Sequence, residues 1–128
     1  MTQVAASMTL IGSGPDCRVN PVDLVYLRRF TLGNHELERE VLELFVTQAP
    51  AYLRLLGAAE SVKQWMDAAH TLKGAARAIG AWRVAVCAEN AETLTSIRDF
   101  ERRVRALEII TAAVDEARTH IADMICSN

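Results

Sequence analysis

Aromatic residues make up only 5% of this 128-residue chain, and turn-forming residues are limited to six Gly and three Pro. Both shortages argue against an all-β fold, which needs aromatic and β-branched strand residues and many tight turns. Cysteine is scarce as well: Cys17, Cys87 and Cys126 are odd in number, widely spaced and without a C-x-x-C pair. Neither a disulfide framework nor a structural zinc site is expected, and a reducing compartment is the default. No sign of charge dominates. Fourteen Lys and Arg against sixteen Asp and Glu leave a formal net charge of −2, which offers nucleic acid no basic field and a membrane no polybasic patch. No apolar run approaches the roughly 20 residues of a membrane span. The first residues lack the basic segment and apolar stretch of a secretory signal.

What the chain has is 51% hydrophobic residues, with Ala and Leu recurring throughout, which suits helices packed on small side chains. Residues 1–20, broken by Gly12-Ser13-Gly14-Pro15-Asp16, are expected to form a flexible N-terminal arm, and residues 21–126 one helical domain. Asn20 and Pro21 have the form of an N-cap followed by a first-turn proline. That short helix would carry Val22, Leu24, Val25, Leu27 and Phe30 and end near Gly33. Asn34 can cap a second helix with Leu37, Val41, Leu44 and Phe45 inside, and Pro50 predicts a kink or restart before Gly57. Ser61 can cap a third helix running to Ile79, with Gly80 fitting the left-handed position just after it. A fourth runs over about 81–97 with Val84, Cys87, Ala91 and Leu94 as its seam. Asp99 caps a fifth, with Phe100, Val104, Leu107, Ile110, Val114, Ile121 and Ile125 inward. The short gaps make successive helices antiparallel neighbours. The expected fold is an all-α, up-down-up-down four-helix bundle with a short extra N-terminal helix.

The third helix carries a chemical signal. At about 100° per residue, Trp65, Ala68, Leu72, Ala75, Ala76 and Ile79 form an apolar stripe opposite His70. Lys63, Met66, Asp67, Lys73, Gly74 and Arg77 share the side of His70. A mid-helix glycine costs about 1 kcal/mol relative to alanine, and Gly74 stands at i+4 from His70, where a side chain would crowd the imidazole. A surface histidine, an empty neighbouring position and two cations a turn apart fit a nucleophile open to another molecule's anionic group. Neutral imidazole can attack phosphorus through a ring nitrogen, and Lys73 could offset the charge acquired. A lone surface histidine is more often an ordinary polar residue, so spacing alone leaves a plain helical adaptor open as the alternative.

The string His70-Thr71-Leu72-Lys73-Gly74-Ala75-Ala76-Arg77-Ala78-Ile79-Gly80, preceded by Ala68-Ala69, resembles the signature of histidine-containing phosphotransfer (HPt) domains, roughly A-H-x-L-K-G-x-[AS]-x-x-x-G. Every fixed position is met. Residues 44–50, an apolar run ending in Ala49-Pro50, are similar to the family's preceding helix. Cys87 and Glu92 fall where its next helix often has a Cys and a Leu-Glu pair, with Ala91 in place of the Leu. Trp82 departs from the pattern, being bulkier than is usual after that glycine. The resemblance spans about residues 21–125.

It implies a phosphoryl carrier in a two-component phosphorelay, with His70 as acceptor between aspartates of receiver domains. Lys73 would help hold the phosphoryl group, Gly74 would clear the approach, and Glu92 would orient the other ring nitrogen. A receiver would dock around Met66, Ala69 and Arg77, the last placed there from helical spacing. Mg²⁺ is expected on the receiver partner, with no cofactor on this chain. A monomer in the cytoplasm is the default, without nucleic-acid or membrane partners. No G-x-x-x-x-G-K-[ST] loop is present, so no kinase activity of its own is expected. The chain stopping at Asn128 favours a carrier over the phosphoaccepting domain of a chemotaxis-type kinase. His120 with Asp123 at i+3 lacks a third ligand, so no metal is assigned. Arg98, Arg102, Arg103 and Arg105, interrupted by Asp99 and Glu101, suit a solvated helix face.

Overall fold

A computed structural model describes residues 20–94 and 100–127. They form five helices: α1 (Leu24–Thr31), α2 (His35–Gly57), α3 (Val62–Ile79), α4 (Trp82–Glu92) and α5 (Phe100–Ser127), with no strand among the described residues. Helices α2 to α5 close into a ring in which each packs on its neighbour and α5 returns to α2, while α1 lies against α2 and α3. This is the four-helix bundle with an additional N-terminal helix that the helical spacing predicts. Residues 1–19 of the expected arm, with Cys17, and the Asp99 cap lie outside the described residues.

Local chemistry sets the helix ends. Asn34 accepts from Leu37 N at 3.0 Å and Ser61 from Gln64 N at 3.1 Å, so both expected caps are in place. Gly80 closes α3 in the left-handed region at φ 75°. The start of α1 differs from expectation. Its cap is Asp23, whose Oδ1 accepts from Tyr26 N at 3.0 Å, in place of Asn20 and Pro21. Asp23 prevails because it is also held from α4: its Oδ2 accepts from Trp82 Nε1 at 3.0 Å.

The core is built from Leu27, Leu42, Phe45, Leu56, Trp65, Leu72, Ile79, Val84, Ile110, Val114 and Ile121, with alanines between them. Several expected inward positions are turned outward. On α2 the buried row is Glu38, Leu42, Phe45, Ala49 and Leu56, so Leu37 and Leu44 are exposed and Val41 is half-buried. The row is displaced because α1 covers Glu38, whose carboxylate takes a forked pair of bonds from Arg28 at 2.9 and 3.3 Å. Phe100 and Val104 of α5 are likewise exposed, and on α1 so are Val25 and Phe30, for which no direction is expected. On α4 the seam is Val84, Ala85, Ala88 and Ala91, with Cys87 and Leu94 half-buried.

Of the kink or restart expected at Pro50, the restart does not occur: α2 is one continuous helix from His35 to Gly57 with the proline inside it. Proline leaves the carbonyl four residues earlier without its donor. That carbonyl belongs to Val46, and Arg118 Nε on α5 donates to it at 3.1 Å. Arg103, expected on a solvated face, is half-buried with its guanidinium 5.6 Å from the centre of the Trp65 ring.

Candidate functional site

The buried face of α3 determines where its other residues point. Trp65, Ala68, Ala69, Leu72, Ala76 and Ile79 are buried, and His70 emerges opposite them with its side chain 71% exposed. Gly74 lies one turn on, and a Cβ built there would meet no atom within 4 Å. Packing therefore does not require the glycine, and its effect is to leave open space beside the imidazole. Met66 is half-buried and Arg77 exposed on this side. Ala69 is corrected: expected on the docking face, it has 0% exposure and belongs to the core, since it lies one residue back from His70 and turns toward the bundle.

The small residues of α4 let its backbone come close to α3, which brings Glu92, the last residue of α4, to the histidine. Its Oε2 is 3.0 Å from His70 Nδ1. Its Oε1 pairs with Lys73 Nζ at 2.5 Å, and both side chains are largely shielded, at 19% and 14% exposure. One carboxylate thus joins the histidine to the lysine. The Lys73 ammonium foremost holds the Glu92 carboxyl below the usual carboxylate range; burial opposes this and the His70 bond assists.

The ionised carboxylate can only accept, so Nδ1 carries the proton and donates. The lone pair is then on Nε2, for which no bond partner is found among the described residues. An imidazole fixed in this way is a nucleophile of defined tautomer facing water. Arg77 makes a loose pair with Glu89 at 3.7 Å, both exposed. No three His, Cys, Asp or Glu side chains converge on a metal-sized position among the described residues, and no described helix is long and apolar enough to cross a membrane.

The structure gathers His70, Lys73, Gly74 and Glu92 into one site, with Met66 and Arg77 at its margin. What spacing did not foresee is that Lys73 faces Glu92. The signal was latent: Lys73 is at i+3 from His70, and antiparallel pairing of α3 with α4 brings the end of α4 beside both.

The family model of the Hpt domain matches residues 40–123, more than half of the chain. The chain belongs to the Hpt domain family. Domains of this family serve histidine phosphotransfer in phosphorelays, work with receiver domains and are carriers without kinase activity. The match begins within α2, so α1 lies outside it. No curated protein and no solved structure matches the chain significantly.

Proposed function

We propose that this protein is a phosphorelay carrier in which His70 Nε2 takes a phosphoryl group from an aspartyl phosphate on one receiver domain and yields it to an aspartate on another. The observation that supports this reading is the exposed imidazole whose Nδ1 is held by Glu92 at 3.0 Å beside the open position at Gly74. In the forward step the Nε2 lone pair forms the N–P bond. The P–O bond to the donor aspartate breaks, and its electron pair returns to the aspartate carboxylate. No proton needs to leave: Nδ1 keeps its hydrogen, and the ring takes up positive charge that Glu92 offsets. Lys73, a turn away, can exchange Glu92 for a phosphoryl oxygen. Transfer to the second aspartate reverses these events.

The Mg²⁺ of the reaction belongs to the receiver, and this chain needs no cofactor of its own. It works as a monomer in the cytoplasm, docking its partner around Met66, Gly74 and Arg77. The test is label transfer from a phosphorylated receiver domain, or from a hybrid kinase with ATP. The expected product is an acid-labile, base-stable phosphate that is absent in His70→Gln. Receiver binding without any label would instead identify a helical adaptor and overturn the carrier reading.

A further inference from the structure

The peptide that carries Glu92 has an anchor of its own. Trp65 on α3 is 2% exposed, and its Nε1–H donates to the Ala91 carbonyl at 2.8 Å. The Ala91 carbonyl and the Glu92 N–H belong to one planar peptide unit, so a group that holds the carbonyl also fixes the plane from which the Glu92 side chain departs. The location is critical because Glu92 ends α4, where helix carbonyls lose their regular donors and the last turn frays. No glycine stop secures this end. Thr93 stays in the right-handed region, and the N–H groups of Thr93 and Leu94 that reach Ala91 belong to the same short turn. They do not tie α4 to α3; the Trp65 indole does. The Arg103 guanidinium from α5 lies over the indole, so the ring is held among three helices.

We propose that Trp65 is a positioning residue for the phosphoacceptor: through the Ala91–Glu92 peptide it keeps the Glu92 carboxylate on His70 Nδ1 and so selects the tautomer with its lone pair on Nε2. The consequence for transfer rests on the carrier reading above, whereas the tautomer can be read in the unphosphorylated protein. A tryptophan that merely filled the core would need its ring volume and not the direction of its N–H.

The experiment compares Trp65→Phe with the intact protein, following the His70 ring nitrogens by long-range ¹H–¹⁵N correlation in alkaline buffer, where imidazoles are neutral. The intact protein should show the Nδ1–H form almost alone. Trp65→Phe should drift toward the mixture of an unrestrained imidazole, and transfer from a phosphorylated receiver should slow by up to about tenfold, the factor one hydrogen bond carries. Ile121→Val, a core change on α5, should lower the melting temperature without moving the tautomer. Replacement of Trp65 by 3-benzothienylalanine, which keeps the ring shape and lacks the N–H, should repeat the effect of Trp65→Phe with less loss of stability. An unchanged tautomer in either Trp65 variant would overturn the proposal. Rapid solvent exchange of the indole N–H in the intact protein would also overturn it, even if neither variant folds. Failure of the intact protein to take label at His70 would count against the carrier reading, while the tautomer comparison would still decide the role of Trp65.

Discussion

At position 74 two physical effects pull in opposite directions. Glycine weakens a helix interior by about 1 kcal/mol relative to alanine, and a Cβ there would enter open space. Gly74→Ala should therefore raise unfolding stability by up to about 1 kcal/mol in a urea titration. Gly74→Gln should keep the helical circular dichroism and slow phosphoryl transfer by about tenfold or more, because reacting groups must meet within a fraction of an ångström of their best geometry. Loss of stability in the alanine variant would show that the slot is packed after all. Glu92 allows a second prediction at this scale. Its carboxyl titrates below the usual range when folded, chiefly because of Lys73. The stabilisation is then complete above the unfolded carboxylate value of about 4.3 and disappears as pH falls through the lower folded value. Glu92→Gln should remove that acid-side loss from a plot of stability against pH while leaving the neutral and alkaline limbs parallel to those of the intact protein.

At the scale of the element, α2 shows how a helix can carry a proline in its interior. Pro50 cannot supply the bond to Val46 O, and Arg118 on α5 supplies one at 3.1 Å. The replacement comes from another helix, so the continuity of α2 depends on the bundle. Arg118→Met keeps much of the apolar stem and removes the donor. It should destabilise the fold by about 1–3 kcal/mol, the cost of leaving a shielded carbonyl unpaired, as measured by chemical unfolding. Pro50→Ala restores the missing N–H, so in that background the same Arg118 change should cost markedly less. Equal costs in the two backgrounds would mean that Arg118 acts by packing alone.

Across the whole molecule, α1 meets the α3–α4 turn at one crowded point. Asp23 N donates to Gly80 O at 2.9 Å, and Asp23 Oδ2 accepts from Trp82 Nε1. Tyr26 meets the Trp82 ring edge-on at a centroid distance of 4.7 Å. A Cβ at Gly80 would fall 2.8 Å from Asp23 Cβ and 2.9 Å from its carbonyl oxygen, at a positive φ that disfavours side chains. Gly80→Ala should cost about 2 kcal/mol or more and change the fluorescence of Trp82 as α1 shifts from the α3–α4 turn. A wild-type melting temperature in this variant would show that α1 is not held there.

Much of this protein is determined by residues close together in the chain. Ser61, Asn34 and Gly80 mark helix boundaries because capping satisfies backbone groups within a few residues, and the 3.6-residue period of α3 places His70 opposite its apolar stripe whatever surrounds it. The motif around His70 was legible for the same reason: its members lie within three turns of one helix. Tertiary structure alone decided which α2 row is buried, since Glu38 displaces Leu37 and Leu44 only when Arg28 from α1 reaches it. It also decided that Ala69 turns inward, that Arg118 completes the turn at Pro50, and that Lys73 faces Glu92. These outcomes join groups far apart in sequence, and local periodicity has no term for the partner a second helix brings.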